Sequence, residues 1–388
     1  MLQQSKPNPT ALDNTDFVLR KRFKADVSPP QSNSHGDSKF STVQSSPVGA
    51  RCKRPGGDEK KDTKLKDFVN HPTFSVSQLR RFAISSGGLL KSANRKRCWP
   101  MLLDIDVDNI PPAPKLSVLK THRDYEQVLL DVERSLSRFP PGMREDKRLV
   151  LQDKLVVLIL HVLINHPELH YYQGYHDICV TILLTVGEDL AYAVVDRLSI
   201  SHLSDYMGST MERTKVIMDY VFPILAKVNP KLEAYLQKAE VGTMFCLSWI
   251  ITWYGHVLKE YRHIVRLYDF FIASHPLMPI YVAAAIVLYR EKEILSCPCE
   301  MASVHHTLSH LPKDLPFEEL IITACDIHLL YPPSELIKDN FVPPATPKPT
   351  DINERRWKQR KRLSRKLIVK VIIVAFFAVL AGYILWRP

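Results

Sequence analysis

The stretch HPELHYYQGYHDICVTILL, from His166 to Leu184, decides how this chain folds. Its second half is apolar and typical of a buried helix. Its first half sets three polar residues, Tyr171, Gln173 and Asp177, immediately ahead of that helix. Polar groups at such a place either cap the start of a helix or belong to a functional site. The remainder of the chain has to distinguish these two interpretations.

The composition favours an all-α fold. The chain has 388 residues, of which 45% are hydrophobic and 24% charged, a balance typical of a globular protein with a sizeable core. Glycine is scarce, with 13 residues, where an average share of about 7% would give roughly twice as many. Apolar residues recur every three or four positions in long segments, which indicates helices rather than strands.

The predicted helices follow one another from residue 75 to residue 330. Ser75 and Gln78 have the spacing of a capping box at the start of the first helix. Trp99 is expected to point inward from a short helix, and Pro230 is expected to start another. The remaining helices are predicted at 94–103, 122–141, 149–164, 189–200, 211–227, 230–239, 243–260, 262–273, 278–294 and 317–330.

By itself, the net charge of +11 suggests nucleic-acid binding. The positions of the basic residues give another explanation. Nine Lys or Arg lie between Arg355 and Lys370, so much of the excess belongs to one segment, with the basic N-terminal region as a second source. No nucleic-acid partner is therefore expected. The seven cysteines show no paired framework, and no signal peptide is recognised, which indicates a reducing, cytosolic environment for the folded body.

Four segments are predicted along the chain. Residues 1–66, a basic tail rich in Ser and Pro, are predicted to be disordered. Residues 67–335 are predicted to form the helical domain. Residues 336–366 are predicted to form a linker, first Pro-rich and then basic, and residues 367–386 a transmembrane tail anchor.

The anchor is predicted from an apolar run at the C-terminal end. Val371–Trp386 contains sixteen uncharged residues. Adding residues 367–369, with the Lys370 amine reaching toward the interface, gives about 30 Å of helix, enough to cross the hydrocarbon core. A buried C-terminal helix is the alternative. The basic flank on one side favours a single pass with the domain in the cytosol, and the short span suits the endoplasmic reticulum, with the early Golgi as the alternative membrane.

Several enzyme signatures are absent from the sequence. No glycine precedes a lysine, so no P-loop is present, and neither G-x-S-x-G nor H-E-x-x-H occurs. Four residues with metal-binding side chains could in principle hold zinc, but a C-x-C followed by adjacent histidines is not a standard zinc spacing. These residues are Cys297, Cys299, His305 and His306. No metal site is predicted.

Two pairs of polar residues remain as candidates. In VLLDVER, Asp131 and Arg134 are three apart on one helix, which is consistent either with a surface salt bridge or with a working pair at the edge of an apolar surface. Gln173 and Asp177 are four apart and are expected to share a face at the start of the next helix. The alternative for Asp177 is a capping role favoured by the helix dipole.

Taken together, these residues resemble the TBC-domain family of Rab GTPase-activating proteins. VLLDVER resembles the I-x-x-D-x-x-R arginine-finger motif of that family, and YYQ resembles its Y-x-Q glutamine-finger motif, about forty residues later. RKRCWPMLL, YYQGYHDI and VRLYDFFIASHPLMPIYVAAAIVLY resemble three further blocks in the same order. The resemblance covers roughly residues 75–335 and implies the helical fold of that family.

The resemblance also implies a role for each candidate residue. Rab proteins hydrolyse GTP slowly because the attacking water and the developing phosphoryl charge are poorly stabilised. Arg134 is expected to neutralise that charge in trans, and Gln173 to orient the water. Asp131 is expected to hold the arginine in its rotamer and Tyr171 to pack beside the glutamine. Asp177 is expected to act in the structure or in contact with a switch loop.

The expected partners are a GTP-bound Rab GTPase and, through residues 367–386, a lipid bilayer. No cofactor is expected, because GTP and Mg²⁺ belong to the partner. The implied function is control of early secretory traffic between the endoplasmic reticulum and the Golgi. Two alternatives stay open: a Rab-binding scaffold without catalysis, and a membrane tether whose anchor matters more than its domain.

Overall fold

The computed structural model describes residues 57–71, 75–135 and 143–336, and this part of the chain contains helices and no β-strand. The predicted all-α fold is therefore confirmed for the described residues. The α-helices are α1 Gly57–Asn70, α2 Val76–Ile84, α3 Ser92–Leu102, α4 Leu116–Leu119, α5 Tyr125–Arg134, α6 Glu145–Asn165, α7 Tyr175–Val186, α8 Glu188–Ser199, α9 Glu212–Met218, α10 Val221–Val228, α11 Pro230–Lys238, α12 Leu247–Ile251, α13 Tyr261–Ile272, α14 Met278–Tyr289, α15 Glu291–Ser296, α16 Met301–Ser309, α17 Phe317–Leu330 and α18 Pro333–Leu336.

Two helices that are buried on all sides form the centre of the domain. In α7 every residue except Leu184 is buried, and in α14 every residue except Tyr289 is buried. A helix that is apolar all round has to be enclosed by other helices. Accordingly, α7 packs against α3, α6 and α8, and α14 packs against α10 and α17. The segment from His166 to Leu184 thus leads directly into the core.

A buried carboxylate joins the N-terminal helices to this centre. Asp269 on α13 is fully buried and accepts hydrogen bonds from the Arg95 guanidinium, from the Trp99 indole and from the backbone N–H of Leu89. Buried charges persist where they are paired in this way. The predicted inward position of Trp99 is confirmed, because its side chain is fully buried. A Cβ at Gly88 would lie 2.5 Å from Asp269 Oδ2, so glycine is required there.

The domain begins earlier in the chain than the sequence predicts. Residues 57–66 were predicted as part of the disordered tail, but they lie in α1, in which Asp62 and Leu65 are buried. Asp62 accepts hydrogen bonds from Asn94, Lys91 and Lys66, and these donors hold its pKa well below the ordinary value. Tertiary contacts therefore stabilise a helix whose sequence is too polar to predict one.

The two helix starts predicted from local caps have different outcomes. The Asn229 side chain accepts from the Leu232 N–H at 3.1 Å and Pro230 occupies the first turn, so the predicted start of α11 is confirmed. The capping box predicted at Ser75 is wrong. The Ser75 hydroxyl contacts the Ser77 hydroxyl at 2.7 Å and caps no backbone N–H.

Three long predicted helices are interrupted in the structure. The segment 211–227 divides between α9 and α10, and 278–294 divides at Arg290 between α14 and α15. The segment 243–260 becomes a 3₁₀ turn, Thr243–Cys246, followed by the short α12. There the chain leaves the helix because Trp253 and Tyr254 have positive φ angles of 46° and 64°. Both side chains are fully buried, so core packing offsets the backbone strain.

Within the described residues, no helix is both long and apolar enough to cross a membrane. The predicted anchor at 367–386, residues 337–366 of the predicted linker and residues 1–56 of the predicted tail lie outside the described residues.

Candidate functional site

A cavity of about 590 Å³ opens where the C-terminal end of α5, the turn before α7 and the segment after α12 meet. Four of the five predicted site residues line it, although they come from two distant parts of the sequence. The lining consists of Asp131, Arg134, Ser135, Tyr172, Gln173, Gly174, His176, Asp177, Tyr206, Met211, Thr214, Leu247, Ser248, Ile251, Thr252 and His256. The fifth predicted residue, Tyr171, lies directly behind this wall and contacts it.

Arg134 is the last residue of α5, and its side chain is exposed at the cavity. Within the described residues its guanidinium has no hydrogen-bond or ion-pair partner. Asp131, one turn earlier, is 2% exposed. Asp131 accepts from Gln127 Nε2 at 3.0 Å and from the Tyr171 hydroxyl at 2.9 Å. The expected contact in which Asp131 holds the arginine is therefore not formed, because the carboxylate faces the buried side of α5.

The Tyr171 hydroxyl makes hydrogen-bond contacts with two residues of the cavity lining, Asp131 and His176. Its hydroxyl donates to Asp131 Oδ2 and lies 3.0 Å from His176 Nδ1. Burial raises the pKa of Tyr171 well above its ordinary value, and the Asp131 carboxylate adds to this effect, so the hydroxyl keeps its proton. Tyr171 is thus a hydrogen-bonding link, and the predicted role of packing beside Gln173 is incomplete.

Gln173 lies in the turn that precedes α7, and its side chain is exposed at the cavity. The prediction that Gln173 and Asp177 share a helix face is wrong, because α7 begins only at Tyr175. Between them stands Gly174, with a φ of 110°. A Cβ there would approach Thr252 Cγ2 to 2.8 Å. Glycine therefore allows the glutamine turn to pack directly on the segment after α12.

Asp177 is 1% exposed and lies in the first turn of α7. Its Oδ2 accepts from His256 Nδ1 at 3.0 Å and lies 3.8 Å from His176 Nε2. Its backbone N–H donates to the carbonyl of Gly174 at 3.0 Å. The side chain thus joins α7 to the segment after α12, which supports the structural role expected for it. Its place in the first turn also agrees with the favourable helix dipole.

Sequence reasoning missed two residues at this site, His176 and His256. His176 is enclosed between Tyr171 and Asp177, and 58% of the His256 side chain is exposed at the cavity. His256 is 79 residues from its partner Asp177, and no spacing signal spans such a distance. His176 had a local signal, because it stands between Gln173 and Asp177 in the sequence.

The residues considered for zinc are engaged in other contacts. Cys297 Sγ lies 3.2 Å from the Thr307 hydroxyl, and His305 Nδ1 lies 3.2 Å from the Ser309 hydroxyl. The described ranges contain no group of three or more His, Cys, Asp or Glu side chains arranged to hold a metal ion.

Comparison with known proteins identifies relatives over most of the domain. The family model for the Rab-GTPase-TBC domain matches residues 92–295. Human TBC1 domain family member 20 is 54% identical over 281 residues, which span 72% of this chain and 70% of that protein. The GTPase-activating protein gyp10 of Schizosaccharomyces pombe is 30% identical over 272 residues, 69% of this chain and 72% of that protein.

Among solved structures, the Ypt/Rab-GAP domain of Gyp1p has the same fold. It superposes with a TM-score of 0.57 at 14% identity, over 70% of this chain and 99% of that chain. At this low identity the likeness concerns the fold alone.

Proposed function

This chain belongs to the Rab-GTPase-TBC domain family, and on that premise we propose that it accelerates GTP hydrolysis by a Rab GTPase. Arg134 and Gln173 are the groups proposed to enter the partner's active site in trans. The observation that carries the proposal is a single cavity lined by both of these side chains. The name of the 30% identical relative gyp10, a GTPase-activating protein, supports the same reaction.

Arg134 is proposed to stabilise the charge that develops during phosphoryl transfer. Its guanidinium is exposed and, in the described part of the chain, without an ion-pair partner, so it can enter a partner's active site without breaking an internal contact. A planar guanidinium suits bidentate contact with phosphate oxygens. Arginine fingers in related GTPase systems raise the rate by about 10³–10⁵-fold.

Gln173 is proposed to orient the attacking water. Its amide carries both a donor and an acceptor, so one side chain can hold a water molecule and also a backbone group of the partner. The turn that presents it is anchored from behind, because the Tyr172 hydroxyl donates to the carbonyl of Ile251 at 2.8 Å. A rigid turn fits a group that has to arrive in a defined orientation.

The partner is proposed to be a GTP-bound Rab GTPase that carries both the nucleotide and Mg²⁺. Accordingly, no cofactor is proposed for this chain. Asp131, Tyr171 and Asp177 are proposed to support the two fingers through hydrogen bonds at the cavity wall, without touching the nucleotide.

Residues 367–386 are proposed to anchor the protein in the membrane of the endoplasmic reticulum, with the TBC domain in the cytosol and a role in early secretory traffic. The apolar run of sixteen residues and its basic flank support this proposal. An anchor would confine the domain to the membrane on which its partner is active, which raises their effective concentration.

The test is single-turnover GTP hydrolysis by a panel of GTP-loaded Rab GTPases, with the full-length chain in a mild detergent. We expect strong acceleration for at least one member. Binding to a GTP-loaded Rab without acceleration would instead identify a catalytically silent scaffold. If no GTPase of the panel is bound or accelerated, the proposed function is rejected.

A further inference from the structure

Two groups of hydrogen-bonded side chains lie at the wall of the cavity. On one side, Gln127 donates to Asp131, and Asp131 accepts from Tyr171. The Tyr171 oxygen lies 3.0 Å from His176 Nδ1. On the other side, Asp177 accepts from His256 at 3.0 Å. The His176 imidazole lies between the two halves, with its Nε2 atom 3.8 Å from Asp177 Oδ2.

The direction of these bonds follows from the proton on Tyr171. Asp131, as a carboxylate, can only accept, so the tyrosine O–H donates to it. The tyrosine oxygen then accepts from His176 Nδ1–H. The other ring nitrogen, Nε2, lies 3.8 Å from Asp177 Oδ2, beyond hydrogen-bond distance. His176 therefore holds the tyrosine hydroxyl in the orientation that contacts Asp131.

In the part of the chain that the structure describes, the side chains of Arg134 and Gln173 are not held in place by hydrogen bonds of this kind. Among the described residues, neither Arg134 nor Gln173 has a hydrogen-bond partner for its side chain. Their positions depend on the backbone that carries them. Gln173 stands between Tyr171 and His176 in the sequence, and Arg134 stands one helical turn after Asp131. The same hydrogen bonds therefore connect the backbone segments of both fingers.

Resting on the proposed function, we propose that His176 is a positioning residue for the reaction. His176 is 9% exposed, so the proposed effect acts through neighbouring side chains. Through Tyr171 and Asp131 it sets the distance between the Arg134 helix and the Gln173 turn. Its loss is expected to slow the hydrolytic step in the assembled complex, not to weaken binding of the partner.

Four variants of the full-length chain separate this role from simple stability. His176→Leu removes both ring nitrogens at similar size. His176→Asn keeps a donor at the position of Nδ1, because both nitrogens are bonded directly to Cγ. Tyr171→Phe breaks the same hydrogen bond from its other end. The control is His161→Leu, since His161 is also a buried histidine, is stacked on Tyr192 with ring centroids 3.7 Å apart, and lies outside the cavity lining.

The measurement is single-turnover hydrolysis by the Rab GTPase that responds best to the unmodified protein, as a function of the concentration of this chain. For His176→Leu we expect the rate at saturation to fall by about 10- to 100-fold, because displacements near 1 Å cost that much. The half-saturating concentration should change less than about threefold. His176→Asn should recover most of the rate, and His161→Leu should keep it.

The double variant Tyr171→Phe, His176→Leu should be no more than about threefold slower than the slower single variant, because both changes break one bond. Four outcomes would overturn the positioning role. These are full activity of His176→Leu, a loss confined to the half-saturating concentration, no recovery with Asn, and multiplied losses in the double variant. If the unmodified protein accelerates no Rab GTPase, the proposed function itself fails, which is a distinct result.

Discussion

The Tyr171 hydroxyl lies 2.9 Å from Asp131 Oδ2, although forty residues separate the two in the chain. This bond joins the turn that carries Gln173 to the helix that ends at Arg134. Solvent competes little for this carboxylate, since Asp131 is 2% exposed. The two motifs that the sequence presents separately thus form one side of a single site.

Replacement of Arg134 tests the proposed arginine finger. Arg134→Ala and Arg134→Lys should both lower stimulation of GTP hydrolysis by about 10²–10⁵-fold, because lysine lacks the planar fork. The fold should be unaffected, since the side chain is exposed. Arg262→Lys is the matched control, because 77% of its side chain is exposed and it lies outside the cavity lining. Near-normal stimulation by Arg134→Lys would reject the finger role.

Replacement of Gln173 tests whether this chain supplies the water-orienting group. Gln173→Ala should suppress hydrolysis, while a Rab whose own switch glutamine is replaced should still respond to the unmodified protein. Gln237→Ala, at an exposed position outside the cavity lining, is the control. The measurement is single-turnover hydrolysis with each Rab. Complete loss of the response with the glutamine-less Rab would show that the partner's glutamine is used instead.

Replacement of Asp269 tests the buried ion pair that joins the N-terminal helices to the core. Asp269→Ala leaves the Arg95 guanidinium, 7% exposed, without its carboxylate, and should lower the free energy of unfolding by about 3–5 kcal/mol. The control is Asp189→Ala, because the Asp189 side chain is 88% exposed and pairs with Lys96 at the surface. This change should lower the free energy of unfolding by less than about 1 kcal/mol. Denaturant titration followed by circular dichroism measures both. Equal decreases in the free energy of unfolding for the two variants would show that the buried ion pair contributes no more than the surface pair.

The half-buried His202 predicts a loss of stability in acid. Its Nε2 atom is buried without a hydrogen-bond partner in the described residues, and burial lowers the pKa of His202 to about 4. Between pH 6.5 and 4 the unfolded chain binds this proton and the folded chain does not. The free energy of unfolding should therefore fall as the pH falls through this window, by up to about 1.4 kcal/mol per pH unit.

His202→Phe should make that pH dependence shallower than in the unmodified protein. Some slope should remain, because burial also lowers the pKa values of His275 and His328. The measurement is the free energy of unfolding at a series of pH values. Identical slopes for the two proteins would show that His202 takes up no proton on unfolding in this range.

The C-terminal run is predicted to hold the protein in a membrane. Removing residues 367–388 should release a soluble protein that keeps its activity in solution but loses its effect on secretory traffic in cells. Replacing both Ala375 and Leu380 with Arg should release it too, since each charge at mid-span costs about 2.5–3.5 kcal/mol on insertion scales. Alkaline carbonate extraction followed by protease protection measures this. Extraction of the full-length protein, or protection of its N-terminal body, would refute the tail anchor.

The sequence predicted most helices because the period of apolar residues is a local property. It also predicted the start of α11 at Pro230, where the Asn229 cap and the proline act within one turn. It failed between residues 243 and 260, where Trp253 and Tyr254 adopt left-handed conformations that only their burial in the core stabilises. It also missed α1, because the contacts that order α1 come from distant residues.

The sequence by itself determined the helical class, the buried character of α7 and the candidate residues Arg134 and Gln173, since each is written in a short motif or a regular spacing. Only the tertiary structure decided which side chains meet: Asp131 with Tyr171, and Asp177 with His256. The reason is physical. A helix follows from contacts within a few residues, whereas a buried hydrogen bond between distant segments depends on how whole helices pack, and no local pattern records that packing.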